Sequence, residues 1–453
     1  MRINTLGFMQ TLAVLGCLSA CSGQSDSGAN AAKGGESEAG SSATGPDGTA
    51  GSSNSAGSSN PNDTGGSSSN GGSSSGAGSA NAAGGSRPVS HACDNPDFMC
   101  KASGKLPDGA PKLSAGQWVN ISPKEVPFGD GSFTQGIAVD WCDPATMYLT
   151  VDAFDIEGDK AGLYKTTDGG SSWRKISQLD EPIKVRIDPK NPQHLYVVDG
   201  VRGGTEGFWV SCDGGETFYI PEGFKALKTD PGMFQYDTYD VAVDPTDFNH
   251  VLVSHHGAWG WTDTKWDTNS GVLESKDGGE SWIVHEPMKG WGTGHAITFL
   301  YNPDKKVGNS DTWLLGTQGA GMFKTSDAGK TWKKVTDDGI QHGGGSVYYD
   351  KAGVLYASGA AANLRSTDNG ETWTKVGNAK GYNAVYGDGT LLYTAPGFGP
   401  TTFFTSPEGG DGMTWTPLGT QQFESGPFEM AVDHQNGVLY AGNWGDGIWA
   451  LKL

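Results

Sequence analysis

The pattern Ser or Thr, x, Asp, x, Gly, x, x, aromatic recurs along this chain and constrains its fold more than any other feature. It reads TTDGGSSW over 166–173, SCDGGETF over 211–218, SKDGGESW over 275–282, TSDAGKTW over 325–332 and STDNGETW over 366–373. A stretched copy, TSPEGGDGMTW, occupies 405–415. The aromatic ends stand 45, 64, 50, 41 and 42 residues apart. Self-similarity at this period marks a repeat architecture, and a repeat unit made of strands points to a propeller. Within the octapeptide the Asp can accept hydrogen bonds from the backbone of a tight hairpin. The Gly supplies a positive φ, and the aromatic plugs the gap between blades.

Each copy follows two apolar runs joined by a short Asp/Pro/Asn/Gly turn, as in IAVDWCDPATMYLTV (137–151), VAVDPTDFNHVLVS (241–254) and MAVDHQNGVLYAG (430–442). Seven such pairs can be counted, so each unit is a four-stranded meander. The seventh stops at GIWALKL (447–453) without an octapeptide, and QWVNI (117–121) can supply its missing strand. The expectation is an all-β fold: a single seven-bladed β-propeller over 117–453, closed by an N-terminal strand so that no sheet edge stays open. The octapeptide resembles the Asp-box (BNR) repeat of sialidase-like propellers, and that resemblance places the boxes on the hairpins between third and fourth strands.

Composition divides the rest. Residues 22–86 hold 17 of the 72 glycines, 19 serines and no aromatic residue, so 21–88 reads as a flexible tether with a reach of about 40–50 Å. Residues 1–20 read as a secretion signal. Its end, Leu18-Ser19-Ala20-Cys21, resembles a bacterial lipobox, which implies lipidation of Cys21 and anchoring at the outer membrane or cell surface. Residues 89–116 are a lead-in to the first blade. The net charge of −20 excludes nucleic acid and anionic membrane surfaces as partners, leaving the lipid as the membrane contact, and the chain is expected to be a monomer. Cys93, Cys100, Cys142 and Cys212 remain for disulfides in an oxidising compartment, with three pairings open. Spacing suits Cys93–Cys100. The propeller topology favours Cys142–Cys212, because both fall on the box-bearing face of neighbouring blades.

The opposite face is built from approaches to first strands and loops after second strands, and it should carry any site. Gln135, Lys184, Arg186, Tyr239, Asp240, His295, His342, Tyr382 and Glu429 lie on the approaches, and Asp152, Asp199, His255, His256, Gln318 and Trp444 on the loops. The longest loop, SHHGAWGWTDTKWDTNSG (254–271), carries Trp259, Trp261 and Trp266, which could stack on sugar rings or pack the loop itself. His255, His256, His295 and His342 converge from three blades and could serve as a base or hold a divalent metal.

Gly131-Ser132-Phe133-Thr134-Gln135-Gly136-Ile137 followed by Met147-Tyr148-Leu149-Thr150-Val151-Asp152 is similar to the opening of glycoside hydrolase family 74 xyloglucanases. That resemblance implies Asp152 as general base, a polysaccharide or oligosaccharide substrate and no required cofactor. The family uses two propellers with one catalytic Asp from each, whereas this chain has one, so Asp199, Asp240 or Glu429 must supply the second carboxyl. No arginine cluster of sialidase type is present. Two other readings remain: a non-catalytic surface propeller binding glycan or protein, and a polysaccharide lyase. In the lyase, Lys184 or Arg186 would neutralise a uronate while His295 or His342 with Tyr239 abstracts a proton.

Overall fold

The computed structural model describes residues 93, 98–100, 104–129, 131–153, 160–177, 179–200, 204–205, 207–227, 237–259, 268–338, 347–359, 362–377 and 384–453. They form seven antiparallel sheets around one axis, a seven-bladed β-propeller. Blade 1 holds Ile137–Val139, Met147–Ala153, Gly162–Thr166 and Arg174–Lys175, with Ser132–Phe133 extending its first strand. Blade 2 holds Pro182–Asp188, Asn191–Asp199 and Gly207–Ser211, and a Val210–Tyr219 bridge stands for its fourth strand. Blade 3 holds Thr238–Asp244, Asp247–His255, Val272–Ser275 and Ile283–His285; blade 4 holds Gly294–Phe299, Trp313–Thr317, Gly321–Thr325 and Lys333–Thr336. Blade 5 holds Val347–Tyr349, Leu355–Ser358, Asn363–Ser366 and Thr374–Val376; blade 6 holds Ala384–Gly387, Leu391–Ala395, Phe404–Pro407 and Thr416–Pro417. Blade 7 combines Pro427–Asp433, Val438–Asn443 and Gly447–Lys452 with Trp118–Asn120, where Val119 pairs with Ala450. The N-terminal strand thus closes the ring as the sequence implies. One short helix, α1 (Glu222–Ala226), follows blade 2 and packs Phe224 against Phe208 and Trp282.

The octapeptide hairpins explain why each blade turns where it does. In the first, the Thr166 hydroxyl donates to Asp168 at 2.7 Å and accepts from Gly170 N–H at 3.0 Å, and Ser172 N–H donates to Asp168 at 2.9 Å. Ser211/Asp213, Ser275/Asp277, Thr325/Asp327 and Ser366/Asp368 repeat this set. The fourth position has positive φ in each. It is Gly in three copies, whereas Ala328 (φ 54°) and Asn369 (φ 53°) accept the strained conformation in the others. The same position donates to the turn between first and second strands of its own blade, as Gly169 N–H does to the Ala145 carbonyl at 2.9 Å. Both kinds of turn therefore share one face. Between blades the sheets pack through buried rings and aliphatics, as with Leu252, Ile297, Trp313 and Leu315 between blades 3 and 4. Each large side chain buried this way contributes about 1.5–3 kcal/mol.

The disulfides differ from the expected Cys142–Cys212 and Cys93–Cys100. They are Cys93–Cys212 and Cys100–Cys142. Cys142 and Cys212 do lie on the box-bearing face of blades 1 and 2, but the lead-in reaches that face and gives each its own partner. It continues across the face: Leu106, Ala110 and Pro111 approach Gly169, the Ser171 hydroxyl donates to the Gly109 carbonyl at 2.6 Å, and Asn436 donates to the Gly104 carbonyl at 2.9 Å. We expect peptide mapping without reductant to recover these two linked pairs. Loss of either bridge should cost about 2–4 kcal/mol of stability, read by thermal melts of Cys212→Ser and Cys100→Ser.

Candidate functional site

The face away from the boxes is where second strands end. At that end Asp152 stands opposite Phe133, Asp199 opposite Pro182, His255 opposite Thr238, Thr317 opposite Gly294, Ala395 opposite Ala384 and Asn443 opposite Pro427. All six second-strand residues are fully buried. One ladder position thus carries ionisable groups in blades 1 to 3 and small or amide side chains in blades 4, 6 and 7.

The first strands share a second device. Their register slips by one residue at Ile183, Tyr239, His295 and Phe428, one in each of blades 2, 3, 4 and 7. A bulge leaves its extra residue out of the ladder and re-aims the side chain. It brings the Tyr239 and His295 rings to 5.2 Å, and His256 stacks on His295 at 4.7 Å. Blade 1 must lie close to blade 2 here. A Cβ on Gly136 would stand 2.6 Å from the Ile183 carbonyl oxygen, so only glycine fits.

A hydrogen-bonded chain links these groups to Asp152. The Tyr239 hydroxyl donates to Gln135 Oε1 at 2.7 Å, and Gln135 Nε2 donates to Asp152 Oδ2 at 3.3 Å. Asp237 precedes the Tyr239 strand with φ 57°, a conformation strained for a residue with a side chain, and its carboxylate lies 3.7 Å from His256 Nδ1.

Asp199 has a different environment. Its Oδ1 accepts Glu181 N–H at 2.9 Å, and its Oδ2 meets the Thr205 hydroxyl, which also lies 2.6 Å from Asp180 Oδ1. One hydroxyl proton cannot serve two carboxylates. The arrangement is satisfied when Asp199 carries a proton, donates it to the Thr205 oxygen, and Thr205 donates to Asp180. Burial pushes the Asp199 carboxyl up to about 8, with the charges of Asp180 and Asp152 adding to the effect and the Glu181 N–H bond opposing it. Asp180, although partly buried, is held below its usual range by the hydrogen bonds from Thr205 and Gly204.

Lys184 and Arg186 do not face outward for a substrate. Lys184 donates to the Gln135 carbonyl at 2.6 Å and lies 3.7 Å from Glu429. Arg186 donates to Glu429 at 2.9 Å, lies 3.4 Å from Asp240, and donates to the Val241 carbonyl at 3.0 Å. Glu429 and Asp240 also accept the backbone N–H groups of Ile137 and Ile297. This ion network ties blades 1, 2, 3, 4 and 7 at the axis. Burying a paired charge of this kind is tolerable only with its partners present, and the four residues hold one another in place.

Trp259 is also a correction. It is buried, with His255 edge-on to its ring at 5.3 Å and Gly271 against its far edge, so it packs the loop and draws His255 away from the histidine stack. Gln318 donates its backbone N–H to Thr293, whose hydroxyl lies 3.0 Å from His295 Nε2. Trp444 belongs to an aromatic group that sequence reasoning did not assemble: Phe133 stacks on it at 4.4 Å, Phe428 at 4.7 Å, and Phe398 meets it edge-on at 5.9 Å. Cys21, Trp261, Trp266, His342 and Tyr382 lie outside the described residues. Among the described residues no group of three or more His, Cys, Asp or Glu is placed to hold a metal ion.

The fold is a seven-bladed propeller, and part of its sequence is similar to xyloglucanases. The chain is 30% identical over 200 residues to a xyloglucanase of Paenibacillus sp, covering 35% of this chain and 19% of that protein. It is 24% identical over 293 residues to a xyloglucanase of Hypocrea jecorina (strain QM6a), covering 53% and 32%. It therefore spans less than a third of the length of these relatives. Among solved structures, an ancestral GH74 enzyme superposes with a TM-score of 0.48 at 16% identity, covering 74% of this chain and 46% of that one. YCF48 from Cyanidioschyzon merolae also gives 0.48, at 12% identity, covering 74% and 97%. No family model matches.

Proposed function

We propose that the protein is a glycoside hydrolase-like propeller that cleaves a polysaccharide at the axial end of blades 1 to 3, with Asp152 as general base and Asp199 as proton donor. The observation that carries this reading is the pair of buried carboxyls at one ladder position of neighbouring blades, of which Asp199 is pushed up to about 8, chiefly by burial. Hydrolysis of a glycoside needs one carboxyl in each state and no cofactor. Tyr239 and Gln135 orient Asp152. The partial similarity to xyloglucanases makes xyloglucan the first substrate to try. The octapeptides are the Asp-box repeats that their sequence resembles, acting as scaffold. The lipobox-like Cys21 and the Gly/Ser tract make the propeller a lipid-anchored surface protein of a bacterial outer membrane.

The lyase reading needs a cation for the uronate, and Lys184 and Arg186 are engaged at the axis. The test is a panel of neutral and uronate polysaccharides scored for new reducing ends and for absorbance near 235 nm. Reducing ends without that absorbance are expected, with a loss of about 10²–10⁴-fold in Asp152→Ala. Unchanged turnover in Asp152→Ala would sink the assignment. Binding of a glycan without turnover would point to the non-catalytic propeller instead.

A further inference from the structure

Asp199 is 0% exposed, so a proton reaches or leaves its carboxyl only through a neighbouring group. Among the described residues the carboxyl has two hydrogen-bond partners. One is the Glu181 N–H at 2.9 Å, a backbone amide that keeps its proton. The other is the Thr205 hydroxyl. Thr205 is partly exposed, and so is Asp180, whose Oδ1 lies 2.6 Å beyond that hydroxyl. The three groups therefore lead from the interior of blade 2 to the rim, where the approach to its first strand meets the loop after its second.

Thr205 is pinned for this position. Its carbonyl accepts the Trp209 indole N–H at 2.8 Å, and its Oγ1 accepts the Asp180 N–H at 2.9 Å. One lone pair and one proton are then left on Oγ1 to serve two carboxyls. Two arrangements satisfy every group. In the first, Asp199 is protonated and donates to Thr205, which donates to Asp180. In the second, Asp180 is protonated and donates to Thr205, which donates to Asp199. A shift of two protons along three oxygens converts one into the other without moving a heavy atom. The first is the resting form, because Asp180 also accepts the N–H groups of Gly204 at 2.6 Å and Thr205 at 3.3 Å, which favour its charged state. The other groups facing Asp199 keep it there. Asp152 of blade 1 adds a second carboxylate, which disfavours charge on Asp199, and the Thr238 hydroxyl of blade 3 donates to the Asp199 carbonyl rather than to its carboxyl.

We propose that Thr205 and Asp180 form a proton relay that connects the buried Asp199 carboxyl to water. Once Asp199 has given up its proton, Asp180 takes one from water, passes it to the Thr205 oxygen, and Thr205 passes its own to Asp199, so protons balance and no other bond changes. Thr205 and Asp180 are positioning residues that act through Asp199. The relay rests on the hydrolase reading only for the use of that proton, and its test needs no turnover. The carboxylic acid carbonyl stretch of Asp199 is followed by infrared spectroscopy in the full-length protein, with Asp199→Asn as the blank. Rapid mixing from about pH 6 to about pH 10 removes the proton. The band is expected in the wild type at neutral pH. Its decay after mixing should slow roughly tenfold or more in Thr205→Val and in Asp180→Asn, while Thr205→Ser decays as the wild type does.

A wild type without that band at neutral pH overturns the relay. Decay in Thr205→Val and Asp180→Asn as fast as in the wild type overturns it too. Thr205→Ser as slow as Thr205→Val assigns the position to packing and has the same consequence. Asp180→Asn carries the test alone should Thr205→Val fail to fold. Slowed decay in a protein that cleaves no glycan upholds the relay while removing the hydrolase reading, and glycan cleavage with unchanged decay in both variants does the reverse.

Discussion

Asp199→Asn is expected to lower kcat/KM on the cleaved glycan by about 10²–10⁴-fold and, at the same time, to raise Tm. The two effects have one origin. Asp199 is buried with a carboxyl pushed up to about 8 from 3.8, so the folded protein holds a proton that the unfolded chain releases. The sign follows from linkage. Between those two values the unfolded state is favoured as pH rises, and the cost at neutral pH is on the order of a few kcal/mol. An asparagine amide donates to Thr205 as the protonated acid does, with no proton to retain, so the variant escapes that cost while losing the proton donor. In the wild type kcat/KM should fall as pH rises past about 8, when Asp199 ionises. Any residual rate of the variant should lack that alkaline limb. A variant with lower Tm and lower activity together would mean only that the site had been damaged, and an unchanged rate would remove Asp199 from the chemistry.

The second large effect lies far from the site. Across blade 3 runs a row of titratable side chains, one from each strand: Asp244, His250, Glu274 and His285. His250 Nδ1 lies 3.2 Å from Asp244 and its Nε2 2.9 Å from Glu274, so both nitrogens need protons. Glu274 also meets His285 at 2.9 Å and Lys276 at 3.1 Å, and from blade 4 Phe299 meets the His250 ring and Trp313 the His285 ring in T-shaped contacts. Burial works against the charged ring, yet the bonds to Asp244 and Glu274 raise His250 above its ordinary 6.5. Burial likewise opposes the carboxylates, and the bonds from His250 hold both well below their ordinary 3.8 and 4.5.

His250→Gln should therefore destabilise the propeller by about 3–5 kcal/mol near pH 6, because it leaves the buried Asp244 carboxylate without its cation and takes one of three partners from Glu274. The histidine contribution is fully present below 6.5 and fades as pH rises through the higher folded value. The carboxylate contribution is fully present above 4.5 and fades as pH falls through the depressed values. The difference in Tm between wild type and variant should be largest between those limits and shrink on the alkaline side. A difference independent of pH from 5 to 10 would show that the ring acts by packing alone.

Seven blades, their order and the closing strand were legible in the sequence because each rests on local signals: a turn every few residues, an alternating run on either side, and an octapeptide whose hydrogen bonds close within itself. The candidate carboxyls were legible for a related reason. Asp152 and Asp199 end equivalent runs, and equivalent ends meet at one rim. What the sequence concealed depends on contacts between distant segments. The bulges that turn Tyr239 and His295 inward leave no mark in composition. The fate of Lys184 and Arg186 depended on Glu429, more than two hundred residues away. Trp259 and Trp444 look alike in a loop, yet one packs inward and the other heads an aromatic group whose members, Phe133, Phe398 and Phe428, come from three blades. The disulfide partners required the path of the lead-in, which no spacing rule supplies.

That path also decides how the ring responds to being pulled. Tension applied anywhere before Cys93 reaches blade 2 directly through the bond to Cys212. The stretch of chain between the two, including the three-residue strand Trp118–Asn120 that shuts the ring, carries none of it. With the bridges intact, a drag on the N-terminal end moves the propeller as one; with both bridges reduced, the same drag falls first on the lead-in's hydrogen bonds to Asn436 and Ser171 and then on Trp118–Asn120, and the seam between blade 7 and its borrowed strand opens like a zip from one end.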